Sequence, residues 1–99
     1  MRIALVVGAT ISTVKDPKIH GRKLLVVRET DEAGAPHGRP LVAVDTVDAG
    51  PGDLVLIAQG SSARMTEVTK DTPVDAVIMA VIDSLEVEGR LTYRKGGES

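Results

Sequence analysis

The chain has no cysteine, no phenylalanine and no tryptophan, and Tyr93 is its single aromatic residue. Without cysteine there can be no disulfide, thiolate metal ligand or thiol nucleophile, and the composition fits a reducing compartment. With one tyrosine the chain is also poor in the aromatic platforms on which single-stranded nucleic acids stack. Charge of one sign is missing too. The 12 basic and 14 acidic residues are interspersed, for a net charge of −2, which is not the basic footprint of a nucleic-acid binder. The longest uncharged apolar run, Ala76 to Ile82, covers 7 residues, far short of the roughly 20 that span a bilayer. The opening MRIALVVGATIS has one arginine, a short apolar run and no cleavage site typical of a signal peptide. The expectation is a soluble cytoplasmic protein with no membrane or nucleic-acid partner.

What is present is aliphatic. The chain is 42% hydrophobic over 99 residues, mostly Val, Ala, Leu and Ile. Aromatics bury the most area per residue, so this core must be assembled from many small side chains. A chain of this length buries a modest fraction of its surface alone. Burying more between subunits would compensate, which argues for an oligomer. Length allows one domain, taken as residues 1–95, with 96–99 as a disordered tail.

The chain reads as five or six short strands, with one or two helical turns, separated by turn residues. Residues 3 to 11 alternate at period two, with Ile3, Leu5, Val7, Ala9 and Ile11 on one face. The opposite face is smaller and mixed, and Gly8 within it marks a bend or a close approach. STVKDPKIHG (12–21) is a loop. Residues 23–29, 41–47 and 54–59 read as strands, the last apolar on both faces. TDEAGAPHGRP (30–40) has two glycines and two prolines and reads as an exposed, mobile excursion. AGPGD (49–53) is a tight turn.

GSSAR (60–64) leaves the fourth strand as a short helical turn, with Ser61 or Ser62 able to cap it. Thr72-Pro73-Val74-Asp75 has the order of a second helical turn. The β-branched run Val77, Ile78, Val81, Ile82 then reverts to strand. Residues 84–88 and 90–94 pair across a Glu88-Gly89 turn, with Leu91 and Tyr93 on one face. The fold class is mainly β: close strand spacing without long helices favours a small closed or partly open barrel over a βαβ sheet.

Little in this pattern carries chemistry. His20 and His37 fall in different loops, whereas zinc takes three or four ligands; they read as solvent histidines. Ser61 and Ser62 lack the G-x-S-x-G elbow and read as a corner of small residues. GPG and GSS lack the spacing of a phosphate loop. Arg64 beside GSS could hold an anion, but an arginine so placed more often pairs with a carboxylate such as Glu67 or Asp75. Asp45, Asp48 and Asp53 read as solvated or structural. No catalytic, cofactor or metal residue is assigned, and no cofactor is expected.

GSSAR at 60–64 followed by PVDAVIMAVID at 73–83 resembles the signature of the EutN/CcmL family, the pentameric vertex proteins of bacterial microcompartment shells. The STVKDP exit from the first strand, DTVDAGPGDLVL (45–56) and LTYRK (91–95) fit as well, so the resemblance runs from Met1 to about Lys95. It implies a mainly β fold, a small five-stranded OB-like barrel with a short helix and a C-terminal hairpin, in a non-catalytic structural shell protein. Five copies would cap the vertices of a polyhedral shell built otherwise from hexameric and pseudohexameric proteins. It also implies that Gly60, Ser61, Ser62, Ala63, Arg64, Pro73, Val74 and Asp75 lie at the subunit contacts or the central axis. The alternative kept beside it is a small OB-type module binding an anionic ligand or single-stranded nucleic acid through Arg64 and the serine corner.

Overall fold

A computed structural model of the chain describes residues 1–10, 22–65 and 75–96, without the side chains of Ser62 and Arg64. Seven strands and one 3-10 helix follow in order: β1 (Arg2–Ala9), β2 (Leu24–Glu29), β3 (Leu41–Asp45), β4 (Leu54–Gln59), the helix (Gly60–Arg64), β5 (Ala76–Val81), β6 (Ser84–Val87) and β7 (Arg90–Arg94). β1 to β5 close into a barrel in the order β1-β2-β3-β5-β4, and β6-β7 form a separate two-stranded sheet. The expected five-stranded barrel with a short helix and a C-terminal hairpin is the observed architecture.

Local chemistry explains the connections. Between β3 and β4 the Asp53 amide donates to the Gly50 carbonyl over 3.0 Å. Pro51 presets the first central position, and Gly52 takes the second at φ 93°, the conformation a type II turn reserves for glycine. The Gly50 amide also donates to Asp53 Oδ2 at 2.9 Å. In the C-terminal hairpin Val87 pairs with Arg90. Glu88 and Gly89 therefore form a two-residue turn, both at positive φ (52° and 80°), the type I′ geometry that matches strand twist.

Residues 30–40 are exposed but not loose. Thr30 bridges to Pro36, the Asp31 amide donates to the Ala35 carbonyl and the His37 amide to the Glu29 carbonyl. Asp31 Oδ1 accepts from the amides of Ala33 at 2.9 Å and Ala35 at 3.0 Å. Those amides hold the Asp31 carboxyl below its ordinary value, the Ala35 bond most of all. Thr92 Oγ1 donates to the Glu32 carbonyl, and the Tyr93 ring sits beside Gly34. The excursion expected to be mobile is therefore a hydrogen-bonded hairpin loop tied to β7.

The barrel interior is built of aliphatic side chains. Ala4, Val6, Leu25, Val27, Ala43, Val55, Ile57, Ala76 and Ile78 form one cluster. In β1 the interior takes Ala4 and Val6, while Ile3 and Leu5 are half-buried and Val7 is 43% exposed. The smaller face thus turns inward and the bulkier aliphatic face outward, because five strands leave a narrow interior. A register shift between Val6 and Gly8 marks the bulge that Gly8 foreshadows in sequence.

Candidate self-assembly surface

The barrel has a second apolar cluster on its outside. Val44, Ala58, Val77 and Ala63 are buried together, with Leu24 and Met79 packed against them. Ala63 is 0% exposed and belongs to the 3-10 helix. The helix therefore lies over β3, β4 and β5 and covers the outer face of the strands that read as apolar on both sides. Two-sided burial in β4 and β5 is accounted for within one chain.

That helix is the GSSAR corner. Gly60 opens it at φ 63°, a left-handed conformation that a side chain would strain. The Gly60 amide donates to the Asp75 carbonyl at 2.9 Å, so the end of β4 and the start of β5 are tied together. Ser61 is exposed. Ser62 and Arg64 lie in the helix backbone, and the contacts of their side chains fall outside the described atoms. Pro73 and Val74, with the helical turn expected at 72–75, lie outside the described residues, as do His20 and Glu67. Of the eight interface candidates, Gly60 and Asp75 meet through the backbone and Ala63 is a packing residue.

The apolar outer face continues past the helix. In the ladder Gly8 stands opposite Val26 and Val26 opposite Val42. Their neighbours Leu25, Val27 and Ala43 point inward, so this row points out. Val26 is half-buried, Val42 is 49% exposed, and Val7 flanks the row at the bulge. On the hairpin Leu91 is 59% exposed. Sequence reasoning missed this row because the same aliphatic residues serve equally well inside a barrel. The parity of β2 and β3 against the bulge in β1 was the available signal.

The charged groups are engaged locally. Lys23 Nζ donates to the Ala49 carbonyl at 2.7 Å and to Asp48 Oδ1 at 3.0 Å, and lies 3.4 Å from Asp45 Oδ2. The Asp48 bond is the main reason the lysine is held above its ordinary pKa. Asp45 is buried, and its Oδ1 accepts from the Val47 and Ala49 amides at 3.0 and 3.2 Å. This cluster shapes the loop after β3. Among the described residues no three His, Asp or Glu side chains are arranged to hold a metal ion.

A small closed barrel, open apolar rows and charges spent on loop geometry define a class: an assembly module. Its family follows from relatedness. The pattern of the family described as "Ethanolamine utilisation protein EutN/carboxysome" matches residues 1–83. The chain is 46% identical over 95 residues to the carboxysome shell vertex protein CcmL of Synechococcus elongatus, covering 96% of both chains. It is 35% identical over 95 residues to the microcompartment shell vertex protein EutN of Salmonella typhimurium, covering 96% of both. Its fold superposes on Gloeobacter violaceus CcmL with a TM-score of 0.87 at 39% identity, covering 98% of this chain and 100% of that one. On the pentameric microcompartment shell protein GrpN of Rhodospirillum rubrum the TM-score is 0.76 at 38% identity, covering 88% of this chain and 99% of that one. The chain belongs to the EutN/CcmL family.

Proposed function

We propose that this protein is a structural shell component that assembles into pentamers and caps the vertices of a polyhedral bacterial microcompartment in the cytoplasm. It carries out no reaction of its own. Its partners are four further copies and the hexameric and pseudohexameric shell proteins that tile the facets. The observation that carries this reading is similarity along nearly the whole chain to vertex proteins of both carboxysomes and other microcompartments, joined to a barrel with uncovered aliphatic rows.

Physical chemistry supports it. A ring closes through a head-to-tail interface between two different patches of the same chain. The GSSAR corner and Asp75 are one candidate patch. They form a compact, small-residue edge fixed by the Gly60–Asp75 bond, where five backbones can converge. The OB-type binding alternative has less support. The outward row is aliphatic, and Tyr93, the single tyrosine in a chain without Phe or Trp, lies against Gly34 rather than in a stacking groove.

Native mass spectrometry tests the reading. Five times 10.4 kDa gives an expected species of about 52 kDa. A monomer at micromolar concentration would overturn it. Arg64→Ala should weaken the ring more than it lowers the barrel's melting temperature. An unchanged oligomer mass with a lower melting temperature would remove Arg64 from the interface.

A further inference from the structure

We propose that the outward row of Val7, Gly8, Val26 and Val42 is the seat on which the C-terminal hairpin of a second copy lays Leu91. The inference rests on the ring reading above and specifies which two surfaces meet.

The row is built for an incoming side chain. Val7 and Val42 are 43% and 49% exposed, and the half-buried Val26 lies between Gly8 and Val42 in the ladder. At Gly8 a Cβ would meet nothing within 4 Å. The missing side chain therefore leaves a bare stretch of backbone in an otherwise aliphatic row, where a neighbour can approach closely. The row runs on from the outer cluster of Val44, Val77 and Ala63. The chain's own helix covers that cluster and leaves the rest of the face open.

The hairpin is built to reach out. It pairs with no strand of the barrel, and a lone two-stranded sheet is marginally stable in water. Its own chain supports one side, through Thr92 to the Glu32 carbonyl and Tyr93 beside Gly34. A register shift between Leu85 and Glu86 sets Leu91 opposite Glu86 instead of on the Leu85–Tyr93 row. Regular alternation would have kept Leu91 and Tyr93 on one face. The shift leaves Leu91 59% exposed.

Both surfaces are open on the same chain at once, so Leu91 does not fill its own barrel's row. The row is aliphatic, Leu91 is a single protruding apolar side chain opposite Glu86, the two surfaces are distinct, and a head-to-tail ring needs one of each per subunit. A second copy meets that requirement, in a family with a pentameric member.

The absence of cysteine makes the test direct. Val42→Cys and Leu91→Cys are introduced singly and together, and each protein is treated with a short bis-maleimide. The expected result is a denaturing-gel ladder up to five chains from the double variant and none from either single variant. Native mass of the untreated double variant reports whether the ring persists. A pentamer that yields no ladder overturns the pairing and leaves the ring reading intact. So does a ladder that appears only when Val42→Cys is combined with Met65→Cys. A monomer overturns both.

Discussion

Lys23 Nζ lies 3.4 Å from Asp45 Oδ2, joining a half-exposed lysine to a carboxylate whose side chain is 1% exposed. The two partners contribute unequally. Asp45 also accepts the Val47 and Ala49 amides, and Ala49 is 0% exposed, so its amide has no water to turn to. Asp45→Ala should destabilise the fold by about 2–4 kcal/mol, since charged hydrogen bonds are lost and a buried donor is orphaned. Asp45→Asn keeps an acceptor oxygen and should lose less. Lys23→Met should lower the denaturation midpoint less than Asp45→Ala, because the lysine head is half-exposed and screened by water while Asp45 keeps both of its amide donors. Urea denaturation of the three variants checks the order. A Lys23→Met loss as large as that of Asp45→Ala would contradict it.

The Asp31 carboxyl sets the acid behaviour of the 30–40 loop. Its pKa is lowered from the ordinary 3.8, first by the Ala35 amide and then by the Ala33 amide. A carboxylate with a depressed folded pKa contributes its full stability above the unfolded value and loses it as pH falls through the folded one. Loop order should therefore hold at pH 5 and above and decline below about pH 4. Hydrogen exchange at the Ala33 and Ala35 amides, followed by NMR, reads this directly. Asp31→Asn should flatten the acid limb, and an unaltered limb would assign the loss to another group.

Much of the barrel is legible in sequence because turn chemistry is explicit. Pro51-Gly52 and Glu88-Gly89 stand where the turns stand, and strand runs match to within two or three residues. What stays hidden is which side of a strand faces in. In β1 alternation gives two sets, Ala4 with Val6 and Ile3 with Leu5, and period two alone does not say which is interior. Barrel diameter chooses the smaller set, and diameter is a property of five strands together. The 30–40 loop misleads for a related reason. Its glycines and prolines signal turns, but Asp31 and Thr92 tie those turns down, Asp31 through amides 2 and 4 residues away and Thr92 through a carbonyl 60 residues away in sequence. At the candidate site, Gly60 and Ala63 could be picked out from the sequence as a small-residue corner. Their helix covering Val44 and Val77 could not.

Glu88 occupies φ 52° without being glycine, asparagine or aspartate. The first central position of a type I′ turn prefers asparagine, whose short side chain tolerates the left-handed region. Glu88→Asn should stabilise the C-terminal hairpin by about 0.5–1 kcal/mol. Gly89→Val should destabilise it, because Gly89 sits at φ 80° and a β-branched side chain is most strained there. The hairpin is a separate sheet, so the effect should appear in hydrogen exchange of residues 84–94 before it appears in global melting. Equal shifts in barrel and hairpin would mean the two unfold as one unit.

Ala63 separates the two roles of the GSSAR corner. Its methyl is 0% exposed and touches the cluster of Val44, Ala58 and Val77, whereas Ser61, two residues earlier, is exposed. Ala63→Leu adds three carbons to a filled site. It should cost about 1–3 kcal/mol as the helix is pushed off the barrel. Because Gly60 and Asp75 are tied through the same helix start, the displacement should also disturb any edge the corner presents to a neighbour. Ser61→Ala, by contrast, should leave the stability within about 0.5 kcal/mol of the parent, so any change it makes in native oligomer mass would belong to subunit contact alone. Measured side by side, a loss of both stability and oligomer in Ala63→Leu and no change in either for Ser61→Ala would make the corner a packing device first. Loss of oligomer with unchanged melting in Ser61→Ala would place the serine in the interface.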